Sequence, residues 1–124
     1  MTDDLTLTVQ HTDGPLALIA VAGEIDIETA PALRAQALHL IAQGHPHLVL
    51  DCTRVTFCDS TGFSALIGIL RCAKADNGSL TLACVPDRLA RMLDLTGIST
   101  LMPSYPNATD ALNARTAAGK TTAP

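Results

Sequence analysis

Hydrophobic and polar residues alternate with period two at the start of the chain. Leu5, Leu7 and Val9 are interleaved with Thr6, Thr8 and Gln10, the pattern of a strand with one wet face. The run from Leu16 to Val21 is almost wholly apolar and predicts a more buried strand. His11-Thr12-Asp13-Gly14-Pro15 lies between them, and Asp-Gly followed by Pro predicts a turn, so the two strands form a hairpin.

Beyond Asp26 the period changes. Thr29 can cap a helix that has Pro31 in its first turn, and Gly44 can end it in a left-handed conformation. Leu33, Ala37, Leu40 and Ile41 then share one face. His47–Cys52 reads as a compact apolar strand. Asp59-Ser60 opens a second helix, in which Phe63, Leu66, Ile67 and Leu70 repeat as a core-facing stripe. Asn77-Gly78 turns the chain into a strand over Ser79–Ala83. Pro86 starts a third helix with Leu89, Met92 and Leu93 inward and Gly97 as its stop. A short strand near Thr100–Met102 and a last helix around Thr109–Asn113 complete the pattern.

Strands joined by helical crossovers of this length run parallel. The predicted fold is therefore α/β: a mixed sheet of four to five strands, with a leading antiparallel hairpin and then parallel strands, packed with about four helices. Residues 1–115 form a single domain, and the small, polar stretch 116–124 is expected to be a disordered tail.

Composition narrows the function. Hydrophobic residues make up 48% and charged residues 16%, enough for a packed core, while aromatics are only 2%. With no Trp, one Tyr and two Phe, a stacking platform for single-stranded nucleic acid is not expected. The net charge of −4 opposes attraction to phosphate backbones and anionic lipid. Asp3, Asp4, Asp13, Glu24, Asp26 and Glu28 all precede the first cation, Arg34, so the N-terminal part is acidic. That is either a solvated surface or a face for a basic partner. No apolar run is long enough to span a membrane, and Met1-Thr2-Asp3-Asp4 lacks the order of a signal peptide, so a cytoplasmic location is expected. Cys52, Cys58, Cys72 and Cys84 contain no Cys-x-x-Cys pair and are expected to be free, buried thiols; no metal site and no cofactor is expected.

Candidate chemistry concentrates in Val55-Thr56-Phe57-Cys58-Asp59-Ser60-Thr61-Gly62-Phe63, where a strand region ends in an acid, two hydroxyls and a glycine before a helix. Asp59 or Ser60 supplies a cap to the free N–H groups of the first turn. A serine hydroxyl there is also exposed, and it sits where the helix dipole favours negative charge, so it can carry a phosphate without melting the helix. Enzymatic readings fit poorly. Asp59-Ser60-Thr61-Gly62 has one residue too many for an aspartic-protease loop, and Cys58 stands where a nucleophile elbow needs its first glycine. The chain has neither a Walker loop nor a dinucleotide-binding Gly-x-Gly-x-x-Gly. No catalytic residue is assigned. A second segment, Val21-Ala22-Gly23-Glu24-Ile25-Asp26, runs a buried strand into a glycine and two acids.

Taken together these segments resemble the STAS domain family, in particular its single-domain anti-sigma factor antagonists. Gly23-Glu24-Ile25-Asp26 is similar to the family's Gly-Glu-hydrophobic-Asp element. Asp59-Ser60-Thr61-Gly62 is similar to its phosphorylation loop, and Leu93 to Ile98 to its Leu-x-x-x-Gly-hydrophobic stop. The resemblance spans roughly residues 5 to 115. It implies a binding module, not an enzyme, that holds an anti-sigma factor serine kinase when unphosphorylated and releases it when Ser60 is phosphorylated, thereby controlling sigma factor availability. It further implies a serine phosphatase, no direct contact with nucleic acid or membrane, and a monomer or weak homodimer. By the same resemblance Ser60 is the phosphoacceptor, and Glu24, Asp26, Asp59, Thr61 and Gly62 form its environment and the partner surface. The family also supplies an alternative: a scaffold of stressosome type or an accessory subunit of a lipid-transport complex, binding partners without sigma control.

Overall fold

The computed structural model describes residues 5–121, with side chains over 5–114. Asp3 and Asp4 lie outside the described residues. Five strands form one sheet in the order β1 (Thr6–Asp13), β2 (Leu16–Ile25), β3 (His47–Cys58), β4 (Ser79–Ala83) and β5 (Ser104–Tyr105). The β1–β2 hairpin is antiparallel and all other pairings are parallel. Three helices make the crossovers: α1 (Ala30–Ala42), α2 (Ser60–Ala75) and α3 (Asp87–Thr96), and a fourth, α4 (Ala108–Thr121), follows β5. The expected mixed sheet with a leading hairpin is thus the observed one.

The main core lies between one sheet face and α1, α2 and α3. Leu33, Leu40, Leu66, Ile69, Leu89 and Leu93 meet Ile19, Leu48, Leu50, Leu80 and Leu82 there. On the other face Ala111 of α4 packs with Leu18, Val49 and Ala83. Burial on both faces explains the apolar run Leu48-Val49-Leu50 in β3 and the burial of every residue of β4, Ser79 and Thr81 included, although its sequence alternates. Strand β1 is an edge, and Gln10 is an extra residue between the pairs Val9–Ile19 and His11–Leu18. This bulge interrupts the edge ladder and reverses the alternation that began at Leu5.

Helix α1 buries Leu33, Ala37, Leu40 and Ile41 as the spacing required. It ends with Gly44 at φ 100°, its N–H on the Ile41 carbonyl (3.1 Å) and the His45 N–H on the Leu40 carbonyl (3.0 Å). This left-handed exit satisfies carbonyls that the last turn leaves open. In α2 the stripe is rotated slightly: Ile69 is fully buried and Ile67 only partly.

Strands β2 and β3 run on past the expected Val21 and Cys52, to Ile25 and Cys58, and two later elements differ in kind or length from the sequence pattern. The strand expected near Thr100–Met102 is instead a 3-10 turn over Ile98–Thr100, and the strand is Ser104–Tyr105. Gly97 at φ 78° leaves α3 in a left-handed step, and the N–H groups of Leu101 and Met102 fold back onto the Ile98 carbonyl. Met102 there is a fully buried core plug and Ile98 packs partly buried against the core, while Leu101 turns outward, and the ladder resumes only where the Pro103 carbonyl accepts the Leu82 N–H at 2.9 Å. Helix α4 is also longer than expected. Asn107 caps it through the Asp110 N–H (2.8 Å), and its backbone runs past Asn113 to Thr121 through the alanine-rich 114–118, where helix propensity is high. The boundary expected at 115/116 therefore falls inside this helix, and residues 122–124 lie outside the described residues.

Candidate functional site

The carboxyl ends of β2 and β3 lie side by side, with Glu24 paired to Phe57 and Ile25 to Cys58. The Asp59 N–H continues this ladder onto the Ile25 carbonyl at 3.2 Å. The chain then leaves both strands at the same edge of the sheet, and the two loops that carry the candidate residues become neighbours. Crevices beyond the carboxyl ends of parallel strands are where α/β sheets place their functional groups.

In the first loop Asp26 folds its own turn. Its Oδ1 accepts the N–H groups of Glu28 (2.9 Å) and Thr29 (3.1 Å), and its carbonyl accepts the Ala30 N–H at 2.8 Å. Thr29 stands at the N-cap position of α1, but its hydroxyl does not cap the helix. It donates to the Glu24 carbonyl (2.6 Å) and accepts the Asp26 N–H (2.9 Å), tying the loop back to the strand. The loop turns Ile27 outward, 71% exposed.

At the start of α2 the choice between two possible caps is resolved. Asp59 has extended backbone (φ −95°, ψ −172°), and its Oδ1 accepts the Gly62 N–H at 2.9 Å. Ser60 is the first residue of the helix, is exposed, and makes no side-chain hydrogen bond among the described residues. Its hydroxyl is thus available at the positive end of the helix dipole, one residue from the carboxylate that already serves as cap. Gly62 is buried with no room for a side chain: a Cβ there would lie 2.7 Å from both Ile25 Cγ2 and the Ile25 carbonyl oxygen, and 2.9 Å from Cys58 Sγ. Its bareness lets the helix start abut β2. Thr61 is half-buried and faces a groove of about 570 Å³ between α1 and α2, lined also by Ile27, Pro31, Arg34 and Leu38.

The structure therefore brings Glu24, Asp26, Asp59, Ser60, Thr61 and Gly62 to one edge, with Asp26 and Asp59 each using one carboxylate oxygen to shape its loop. Sequence reasoning passed over three neighbours. Ile27 had a signal, a bulky apolar residue between two acids in a turn. Arg34 was noticed only as the first cation. The guanidinium of Arg88 lies 5.9 Å from the centre of the Phe57 ring, a pairing of remote segments that no local pattern announces.

Beneath this surface lie two thiols. Burial, then the Asp59 charge, pushes Cys58 up from 9.0 to about 11. Burial, followed by Asp51, Cys58 and Cys84, raises Cys52 from 9.0 to about 12. Neutral buried thiols are poor nucleophiles. Native protein treated with iodoacetamide at neutral pH is expected to react at the half-buried Cys72 and Cys84 but not at Cys52 or Cys58, which become reactive in denaturant; peptide mapping reads this directly. Because both folded values are raised, their contribution to stability is full below pH 9.0 and is lost as the pH rises toward 11 and 12. Among the described residues no group of three or more His, Cys, Asp or Glu is placed to hold a metal ion, and no helix is long and apolar enough to cross a membrane.

The chain as a whole is similar to known proteins. The chain is 36% identical over 84 residues to an anti-sigma-B factor antagonist of Bacillus subtilis, covering 68% of this chain and 76% of that protein. It is 31% identical over 100 residues to one of Listeria monocytogenes, covering 80% and 87%. The crystal structure of an anti-sigma factor antagonist from Mycobacterium paratuberculosis superposes with a TM-score of 0.79 at 32% identity, over 92% of this chain and 96% of that one. Residues 6–111, from the first strand to the buried Ala111 of the last helix, match the family model for the STAS domain, and the chain belongs to that family.

Proposed function

We propose that this protein is an anti-sigma factor antagonist that works by partner switching. Unphosphorylated, it binds an anti-sigma factor that is also a serine kinase and so frees the sigma factor. Phosphorylated on Ser60, it lets that kinase go, and a serine phosphatase restores it. The observation that carries this reading is the division of labour at the start of α2: Asp59 caps the helix, so the exposed Ser60 hydroxyl has no structural task. Relatives named as antagonists of anti-sigma factors support the role. Glu24, Asp26, Thr61 and Gly62 form the surface around the acceptor, and the protein acts as a binding module, monomeric or weakly dimeric, in the cytoplasm.

The test is to incubate the protein and its Ser60→Ala variant with the serine kinase encoded nearest to it and ATP, and to map phosphate by mass spectrometry. Phosphate on Ser60 of the wild type and none on the variant is the expected result. Phosphate elsewhere, or an equal amount on both proteins, removes Ser60 from the mechanism.

A further inference from the structure

Among the described residues five large apolar side chains are exposed: Val9, Ile27, Phe57, Leu95 and Leu101. Leu95, 80% exposed, stands on α3 with Arg88, Arg91 and Met92 at spacings of three, four and seven. Residues so spaced form one stripe on a helix. Leu89 and Leu93 bury the other side and Met92, half-buried, packs against the core as its spacing required, so Arg88, Arg91 and Leu95 face out, around a shallow hollow lined by these three residues, Met92 and Asp87. Asp94 falls on the flank, about 100° from the stripe's centre by helix geometry. Arg91 forms no ion pair among the described residues, and Arg88 leans on Phe57, itself three positions before Ser60.

We propose that this stripe, continued onto β3 through Phe57, is the second half of the docking surface for the kinase that modifies Ser60, and that it receives an acidic stretch of that kinase bearing an apolar side chain. The inference rests on the Ser60 reading and specifies how the partner is held. The surface is bipolar: Glu24, Asp26, Glu28 and Asp59 cluster about Ser60, and Arg88 and Arg91 lie beyond Phe57. A kinase needs cations about its nucleotide phosphates, which suit the acidic half. An acidic patch beside that mouth then meets α3, and the pair of opposite fields fixes a single orientation. Leu95 supplies the apolar contact that charge alone does not.

The experiment measures the Kd of the same kinase for unphosphorylated wild type and for Arg91→Glu, Leu95→Ala and Arg54→Glu, with phosphate mapping on each sample. Arg54 is an exposed cation by Thr6, Thr8 and Asp51, so it controls for net charge. Arg91→Glu is expected to raise Kd roughly tenfold and to flatten its salt dependence, Leu95→Ala to raise it about threefold, and Arg54→Glu to leave it within about twofold. Equal effects of Arg91→Glu and Arg54→Glu overturn the stripe. So does an unchanged kinase Kd where Arg91→Glu instead abolishes self-association in sedimentation or binding to phosphatidylserine vesicles. A Kd that responds as expected, without phosphate on Ser60, upholds the stripe and overturns the phosphorylation reading; phosphate on Ser60 with an unmoved Kd does the reverse. Thermal melts confirm that the exposed-site variants stay folded.

Discussion

Phosphorylation of Ser60 is expected to weaken binding to the anti-sigma serine kinase by roughly a hundredfold, about 3 kcal/mol, while leaving the free protein's fold unchanged. The two halves of this expectation have different causes. In the free protein the phosphate sits at the first residue of a helix of 16 residues, where the dipole and unpaired amides favour an anion. Water screens it from the neighbouring carboxylates. In the complex that water is displaced, and about −1.5 to −2 charges are held beside Asp59 and the Asp26 loop in a medium of lower dielectric. Asp59 already occupies the Gly62 N–H, so the phosphate cannot take that donor as compensation. Ser60→Asp adds one charge on a shorter arm and should lose roughly tenfold. Ser60→Ala should bind like the wild type, since the cap belongs to Asp59. Titration calorimetry of the kinase against the three forms and the phosphoprotein measures all of this, and indistinguishable affinities across the four would falsify the switch.

How far the sequence disclosed this site depends on whether the interaction is local. The helix faces of α1 and α3 were legible because burial there follows a single period: Leu33, Ala37, Leu40 and Ile41 all point where the spacing put them, as do Leu89 and Leu93. The strand after α3 was misplaced because Ile98 and Met102 are apolar for packing and not for pairing, while Leu101 is apolar yet exposed, and composition does not separate these uses. At the site, residue types and spacing located the loop. They left open which side chain caps α2, since Asp59 and Ser60 are both good caps and only the backbone at ψ −172° decides for Asp59. Asp26 was read as a surface acid, and the structure shows it also folding its loop through the N–H groups of Glu28 and Thr29. The Arg88–Phe57 contact lay beyond any local pattern because it joins β3 to α3 through tertiary packing.

Gly62→Ala is the substitution expected to show that the acceptor loop and the core are one construction. In isolation the change should help, because alanine is favoured over glycine in a helix by about 1 kcal/mol. Here the added methyl would lie 2.7 Å from the Ile25 carbonyl oxygen and from Ile25 Cγ2, and 2.9 Å from Cys58 Sγ. One of these neighbours is backbone in the β2–β3 ladder, and the Ile25 side chain is fully buried, so no flexible end can swing aside. Overpacking against rigid neighbours costs up to about 3 kcal/mol, and separating Asp59 from the Ile25 carbonyl adds the loss of a ladder bond, about 1 kcal/mol. The net expectation is a destabilisation of about 2 to 3 kcal/mol, or roughly 10 °C in Tm, read by calorimetric or dichroism melts. Because the only relief is for α2 to move off β2, Ser60 moves with it, and kinase affinity should fall even at temperatures where the variant is fully folded. A variant as stable as the wild type would mean that the helix start is not held against Ile25; one that is destabilised yet binds the kinase normally would mean that the partner does not read the position of Ser60 relative to the Asp26 loop.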